Sequence, residues 1–169
     1  MKEKADFPKV TGKNLLREQV TLPEDLNGDL NVLVIAFQRW HQHMIETWVP
    51  FLRELEQTLP RVRYYELPTL ERFNALSRTV INEGMRAGIS DPLARERTVT
   101  LYVDKATFRR TLDLPDENTI YLLLVDLTGR IVWRAEGGLT AEKGNSLVRA
   151  LRDQPPGASE YGQHVGMRD

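Results

Sequence analysis

The sequence predicts an α/β fold, with a mixed central sheet flanked by helices on both faces. Three observations carry this. Short apolar runs such as NVLVIAF (Asn31–Phe37) and TIYLLLVD (Thr119–Asp126) read as strands covered on both sides. Between them lie stretches with apolar residues every three or four positions, the spacing of an amphipathic helix. Strands alternating with helices argue for a mainly parallel sheet, and a closing hairpin supplies an antiparallel edge. The 169 residues favour one domain, and 41% hydrophobic residues can fill a core.

Met1 to Asp29 reads as a leader of turns and short extended pieces, punctuated by Pro8, Gly12, Pro23 and Gly28. Asn31–Phe37 is the first core strand. The helix after it places Ile45, Trp48, Phe51, Leu52, Leu55 and Leu59 on one stripe, with Pro50 expected to kink it. RVRYYEL (Arg61–Leu67) is a second strand that Pro68 ends. Thr69 caps a helix through Ala87, weakened by Gly84 and Gly88. RTVTLYV (Arg97–Val103) is a third strand, and Ala106–Leu112 a short helix. After Thr119–Asp126, the turn Leu127-Thr128-Gly129 returns the chain as the antiparallel strand Arg130–Arg134. Glu136-Gly137-Gly138 breaks the chain, and Thr140 caps a helix over Ala141–Arg152. Residues 1–153 form the domain. The polar tail QPPGASEYGQHVGMRD, 154–169, is expected to be mobile.

Composition narrows the function. A formal net charge of −1 gives no basic field, so nucleic acid is not an expected partner. No apolar run approaches the ~18 residues of a membrane span. MKEKADFPKV has no apolar stretch after its basic residues and is not an Arg- and Ser-rich import leader. A cytoplasmic location is the expectation. The absence of cysteine removes disulfides, thiolate nucleophiles and Cys-ligated metals, hence thiol–disulfide and thiol-peroxidase chemistry. Short catalytic motifs such as a Gly-x-Ser-x-Gly elbow, a phosphate loop or His-Glu-x-x-His are missing too.

FPKVTGKNL followed by LPEDLNG and NVLVIAF, then Trp40, then IYLLLVDLTGRIVWRAEGGLT, resemble in that order a thioredoxin-like protein of the redoxin/peroxiredoxin branch, over residues 7 to 152. INEGMRAGI with the Tyr-bearing strand after it, and VDLTGRIVWRAEGG, resemble more narrowly the mitochondrial ATP synthase assembly factors called ATP-ten, which look like thioredoxins without the active-site pair. The resemblance implies a thioredoxin-like fold and an assembly or chaperone role. This chain departs from the redox pattern twice. The cysteine positions hold His41 and Met44, or Gln42 and Ile45 in the other register. The site of the cis-proline falls near Ile120, with Pro115 too far upstream.

What stands at the former opening is aromatic and imidazole. The first reading is a non-catalytic binding surface for a protein partner, made by Gln38, Trp40, His41, Gln42, His43, Met44 and Ile120, with Trp40 as its anchor. Phe37 and Trp48 could also line it, although Trp48 sits on the core stripe. The second is a metal site for copper or zinc on His41 and His43, with Met44 as a soft ligand and Glu46 or His164 as further candidates. Two histidines two apart diverge on a helix, so one ion takes both only if the loop is extended there. Acid–base chemistry would need a partner such as Glu46, three residues after His43. A third reading is a scaffold that homodimerises through a sheet edge. Arg61, Arg63, Arg109 and Arg110 read as solvated charges, and Asp126 as a turn residue bonding amides.

Overall fold

The computed structural model describes residues 5–72 and 92–155. Its strands are β1 (Val10–Asn14), β2 (Gln19–Leu22), β3 (Leu30–Ala36), β4 (Val62–Glu71), β5 (Val99–Val103), β6 (Tyr121–Asp126) and β7 (Ile131–Glu136). The helices are α1 (Gln42–Thr58), α2 (Pro92–Arg97), α3 (Lys105–Leu112) and α4 (Ala141–Arg152). One mixed sheet runs β2-β1-β5-β4-β3-β6-β7. β3, β4 and β5 are parallel neighbours, while β6, β7 and the β1–β2 pair are antiparallel.

Every residue of β3 is buried, because side chains alternate between two apolar layers. Leu33, Ile35 and Phe37 face Tyr65, Leu123 and Phe108 and Leu112 of α3. Val32 and Val34 face Leu122 and Leu124, under Ile45, Trp48 and Leu52 of α1 and Leu147 and Leu151 of α4. The helices thus lie on both faces, as the sequence predicts.

Several elements differ from the sequence expectation. The leader contributes a β-hairpin, β1–β2, that widens the sheet. β4 does not stop at Pro68. It pairs with β3 as far as Ala36↔Pro68 and then with β5 from Thr69↔Leu101 to Glu71↔Val103. Thr69 is therefore a buried strand residue rather than a helix cap. The remainder of the helix expected through Ala87 lies outside the described residues. The short helix α2, with Pro92 at its first position, was not foreseen; a proline suits that place because its missing N–H is not needed there. α1 continues unbroken through Pro50.

β7 runs on to Glu136 and carries a bulge. Ile131 pairs with Val125 and Trp133 with Leu124, so Val132 is the extra residue. The bulge resets the alternation. Ile131 packs into the α3-side layer, and both Val132 and Trp133 pack on the other. Gly129 takes φ +87 in the hairpin turn, where Asp126 accepts from the Thr128 and Arg130 amides. At the end of α4 and just after it, Arg61 donates to the carbonyls of Leu151, Gln154 and Pro155. The rest of the expected tail lies outside the described residues. Among the described residues no helix is long and apolar enough to cross a membrane.

Candidate functional site

Where β3 ends, the ladder stops and the Phe37 and Gln38 amides need an acceptor. His41 supplies it. A single 3-10 turn, Arg39–His41, folds its ring back so that Nδ1 accepts from Phe37 N–H at 3.2 Å and Gln38 N–H at 3.3 Å. His41 is fully buried, so it is not the solvated first-turn residue its polarity suggests. An Nδ1 that accepts two amides requires the neutral ring with its proton on Nε2. That Nε2 is buried and has no hydrogen-bond partner among the described residues. Burial lowers the His41 pKa below its ordinary 6.5; the Asn118 backbone opposes this and the nearby His43 adds to it.

This carries a pH prediction. Because the folded-state value is depressed, the unfolded chain binds more protons in the window just below 6.5. The stability His41 contributes is complete above that pH and is lost as pH falls through the folded-state value. Urea unfolding from pH 7.5 to 5 is expected to show falling stability in the wild type. In His41→Asn, whose amide oxygen can accept in place of Nδ1, the slope should flatten. Equal slopes in the two proteins would refute the assignment.

Above the buried ring lies Trp40, 55% exposed. Its indole meets the His41 ring edge-on at 4.4 Å between centroids and stacks on the exposed His43 ring at 5.9 Å. His43 is fixed in turn by donating from Nδ1 to the Trp40 carbonyl. Gln38 and Gln42 are exposed on either side. Met44 is half-buried, and its sulfur accepts from the Thr119 hydroxyl at 3.5 Å, joining the start of α1 to the loop before β6. Ile120 is not part of this surface. It lies just before β6 and is fully buried beneath α1 with Ile45 and Trp48, in the same layer as Leu122 and Leu124.

A neighbour not foreseen as part of the site is the Gly137-Gly138 loop. Trp48 Nε1 donates to the Gly137 carbonyl at 2.9 Å, Gly137 N–H to the Ile120 carbonyl at 3.0 Å, and Leu139 N–H to the Thr47 hydroxyl at 2.9 Å. Gly137 has φ +78, a conformation side chains disfavour. The doubled glycine was the only sequence signal, and it reads equally as a helix breaker. The cis peptide bond of the described residues, Leu22–Pro23, lies beside Gly129 at the far end of the sheet.

Both imidazoles pack on the Trp40 indole, His41 Nδ1 is occupied by amides, and no group of three or more His, Asp or Glu gathers among the described residues. His164 lies outside the described residues. What the arrangement offers is an exposed indole on a rigid, hydrogen-bonded base without a thiol.

The fold is that of thioredoxin-like proteins. Solved structures similar to this chain include yeast Sco1 with copper bound (TM-score 0.59, 12% identity, covering 92% of this chain and 98% of that one). Others are the exposed lipoprotein thioredoxin Etrx1 of Streptococcus pneumoniae strain TIGR4 (TM-score 0.56, 12% identity, 87% and 100% covered) and a thiol:disulfide interchange protein from a Bacteroides species (TM-score 0.54, 15% identity, 97% of each covered). At these identities the likeness concerns the fold. No curated protein sequence matches significantly. The family model described as ATP10 protein matches residues 2–153, most of the chain. With the fold, the missing thiol pair and this match in place, the chain belongs to the ATP10 protein family.

Proposed function

We propose that this protein is a non-catalytic assembly module that holds a protein partner at the Trp40 edge of its sheet. The observation that carries the reading is the indole itself: a large aromatic side chain, 55% exposed, clamped by two imidazoles on a buried base. A pre-ordered Trp anchors an interface at little entropic cost. Membership of the ATP10 family supports an assembly role and protein partners. Gln38, Gln42 and His43 supply a polar rim beside the anchor, as interfaces commonly do. Copper belongs to the Sco1 structure. Here the donor arrangement favours partner recognition over a shared ion on His41 and His43, and titration with copper and zinc separates the two readings.

Trp40→Ala is expected to leave the melting temperature within about 2 °C of wild type, since the side chain is mostly in water. It should weaken capture of a cross-linked partner by about tenfold or more. Leu127→Ala, which removes an exposed apolar side chain at the opposite end of the sheet, serves as the control and should capture normally. Equal capture by both variants would remove the Trp40 edge from consideration. Sub-micromolar copper or zinc binding lost in a His41→Ala/His43→Ala protein would favour the metal reading.

A further inference from the structure

We infer that the open edge of β7 pairs with the same edge of a second copy, giving an antiparallel, twofold-symmetric dimer. The sheet ends at β7. Its first residues are already covered: Ile131 N–H donates to the Ala5 carbonyl, Phe7 N–H donates to the Gly129 carbonyl, and Asp6 bridges Arg130. From the bulge onward, Val132 to Glu136 has no strand on its outer side among the described residues. An uncovered edge of that length is a template for another strand.

The surroundings of this edge are shaped for one. A cavity of about 530 Å³ lies between β7 and α4, walled by Trp133, Ala135, Glu142, Ser146 and Arg149. A second of about 260 Å³ opens on the other face, beside Leu114, Tyr121 and Arg134. An added strand sends alternate side chains to the two faces, so grooves on both sides suit it.

The charges select a second copy as the occupant. Arg134 and Glu136 are two residues apart, opposite Leu123 and Tyr121, and so share a face. A twofold axis through Ala135 sets Arg134 against Glu136 of the second copy, and the reverse, while the small Ala135 meets itself. An isologous interface requires such self-complementarity. The α4 wall carries Glu142 and Lys143 at one end and Arg149 at the other. Antiparallel α4 helices would bring Glu142 towards Arg149, with Lys143 turned to the Gly138 carbonyl of its own chain. This inference is independent of the Trp40 edge, which lies at the end of β3 rather than along β7.

Sedimentation velocity on the full chain, from about 1 to 200 μM, tests it. The wild type is expected to approach twice its 19.5 kDa mass. Arg134→Glu and Glu136→Arg each place like charges together twice and should raise the dimer dissociation constant about tenfold or more. The double reversal Arg134→Glu/Glu136→Arg should restore the dimer, with circular dichroism confirming that every variant is folded. A wild type that stays monomeric overturns the inference, as does a dimer indifferent to both single changes or not restored by the double. A monomer that dimerises only after removal of Met1–Lys4 also overturns it, and assigns the edge to the chain's own leader.

Discussion

Replacing Trp48 with alanine is expected to cost about 4 kcal/mol of stability, the size typical of emptying a fully buried Trp site. Trp48 has no exposed surface and meets Phe51 edge-to-face at 6.2 Å. The substitution opens a cavity between α1 and the sheet. It also leaves the Gly137 carbonyl without its donor. Trp48→Phe separates the two effects. It keeps most of the apolar contact and loses the N–H, so about 1–2 kcal/mol is expected from the unpaired carbonyl and the smaller ring. Urea denaturation of the three proteins measures both differences. A loss below about 2 kcal/mol for Trp48→Ala would mean that the indole is not the pin between α1 and the Gly137-Gly138 loop.

The second large effect is expected at Glu56. Its carboxylate, on α1, accepts the Tyr64 amide of β4 at 2.9 Å and pairs with Arg97 at the end of α2. Arg97 also donates to the Tyr64 carbonyl at 3.1 Å and lies 5.0 Å over the Tyr64 ring. Both charged side chains are nearly buried, 11% and 12% exposed. Burial, with the like charge of Arg53, pulls the Arg97 pKa down from its usual value, yet an arginine remains charged near neutral pH. Removing the carboxylate therefore strands a cation in a poorly solvated place. Glu56→Ala is expected to cost about 3 kcal/mol. Glu56→Leu/Arg97→Met should recover much of that, because an apolar pair needs no desolvation of charge. Thermal unfolding in low and high salt completes the test, since a buried pair responds little to screening. A Glu56→Ala cost below about 1 kcal/mol, or strong salt dependence in the wild type, would place the pair in solvent instead.

Much of the fold was legible because its signals are local. NVLVIAF has one reading, a strand covered twice, and Thr140 with the break before it fixes α4 at Ala141–Arg152 as expected. Thr140 accepts the Lys143 amide as a cap should. What was not legible depends on distant partners. Pro68 ends an isolated strand in most contexts, but here the neighbouring strand changes at that residue, and β5 supplies the continuation. The Val132 bulge leaves no mark in an alternating run. At the candidate site, the exposure of Trp40 was legible because it lies off the apolar stripe of α1. His41 and Ile120 were misplaced for opposite reasons. The polarity of His41 suggested solvent, although two amides at a strand end draw it inside. Ile120 stands where the resemblance puts the cis-proline beside the opening, yet its side chain belongs to the core layer.

The change of neighbours along β4 has a mechanical consequence. The sheet is two ladders joined in series through one strand: β3, β6 and β7 on the Val62–Pro68 side, and β1, β2 and β5 mainly on the Thr69–Glu71 side. The second ladder is anchored by three register pairs and the Glu66↔Thr98 bridge, against seven pairs between β3 and β4. Native-state hydrogen exchange should therefore resolve two cooperative openings, with the amides of β1, β2 and β5 released at lower free energy than those of β3 and β6. The Trp40 edge hangs from the tighter ladder. A partner docked there would be held by the half of the molecule that yields last.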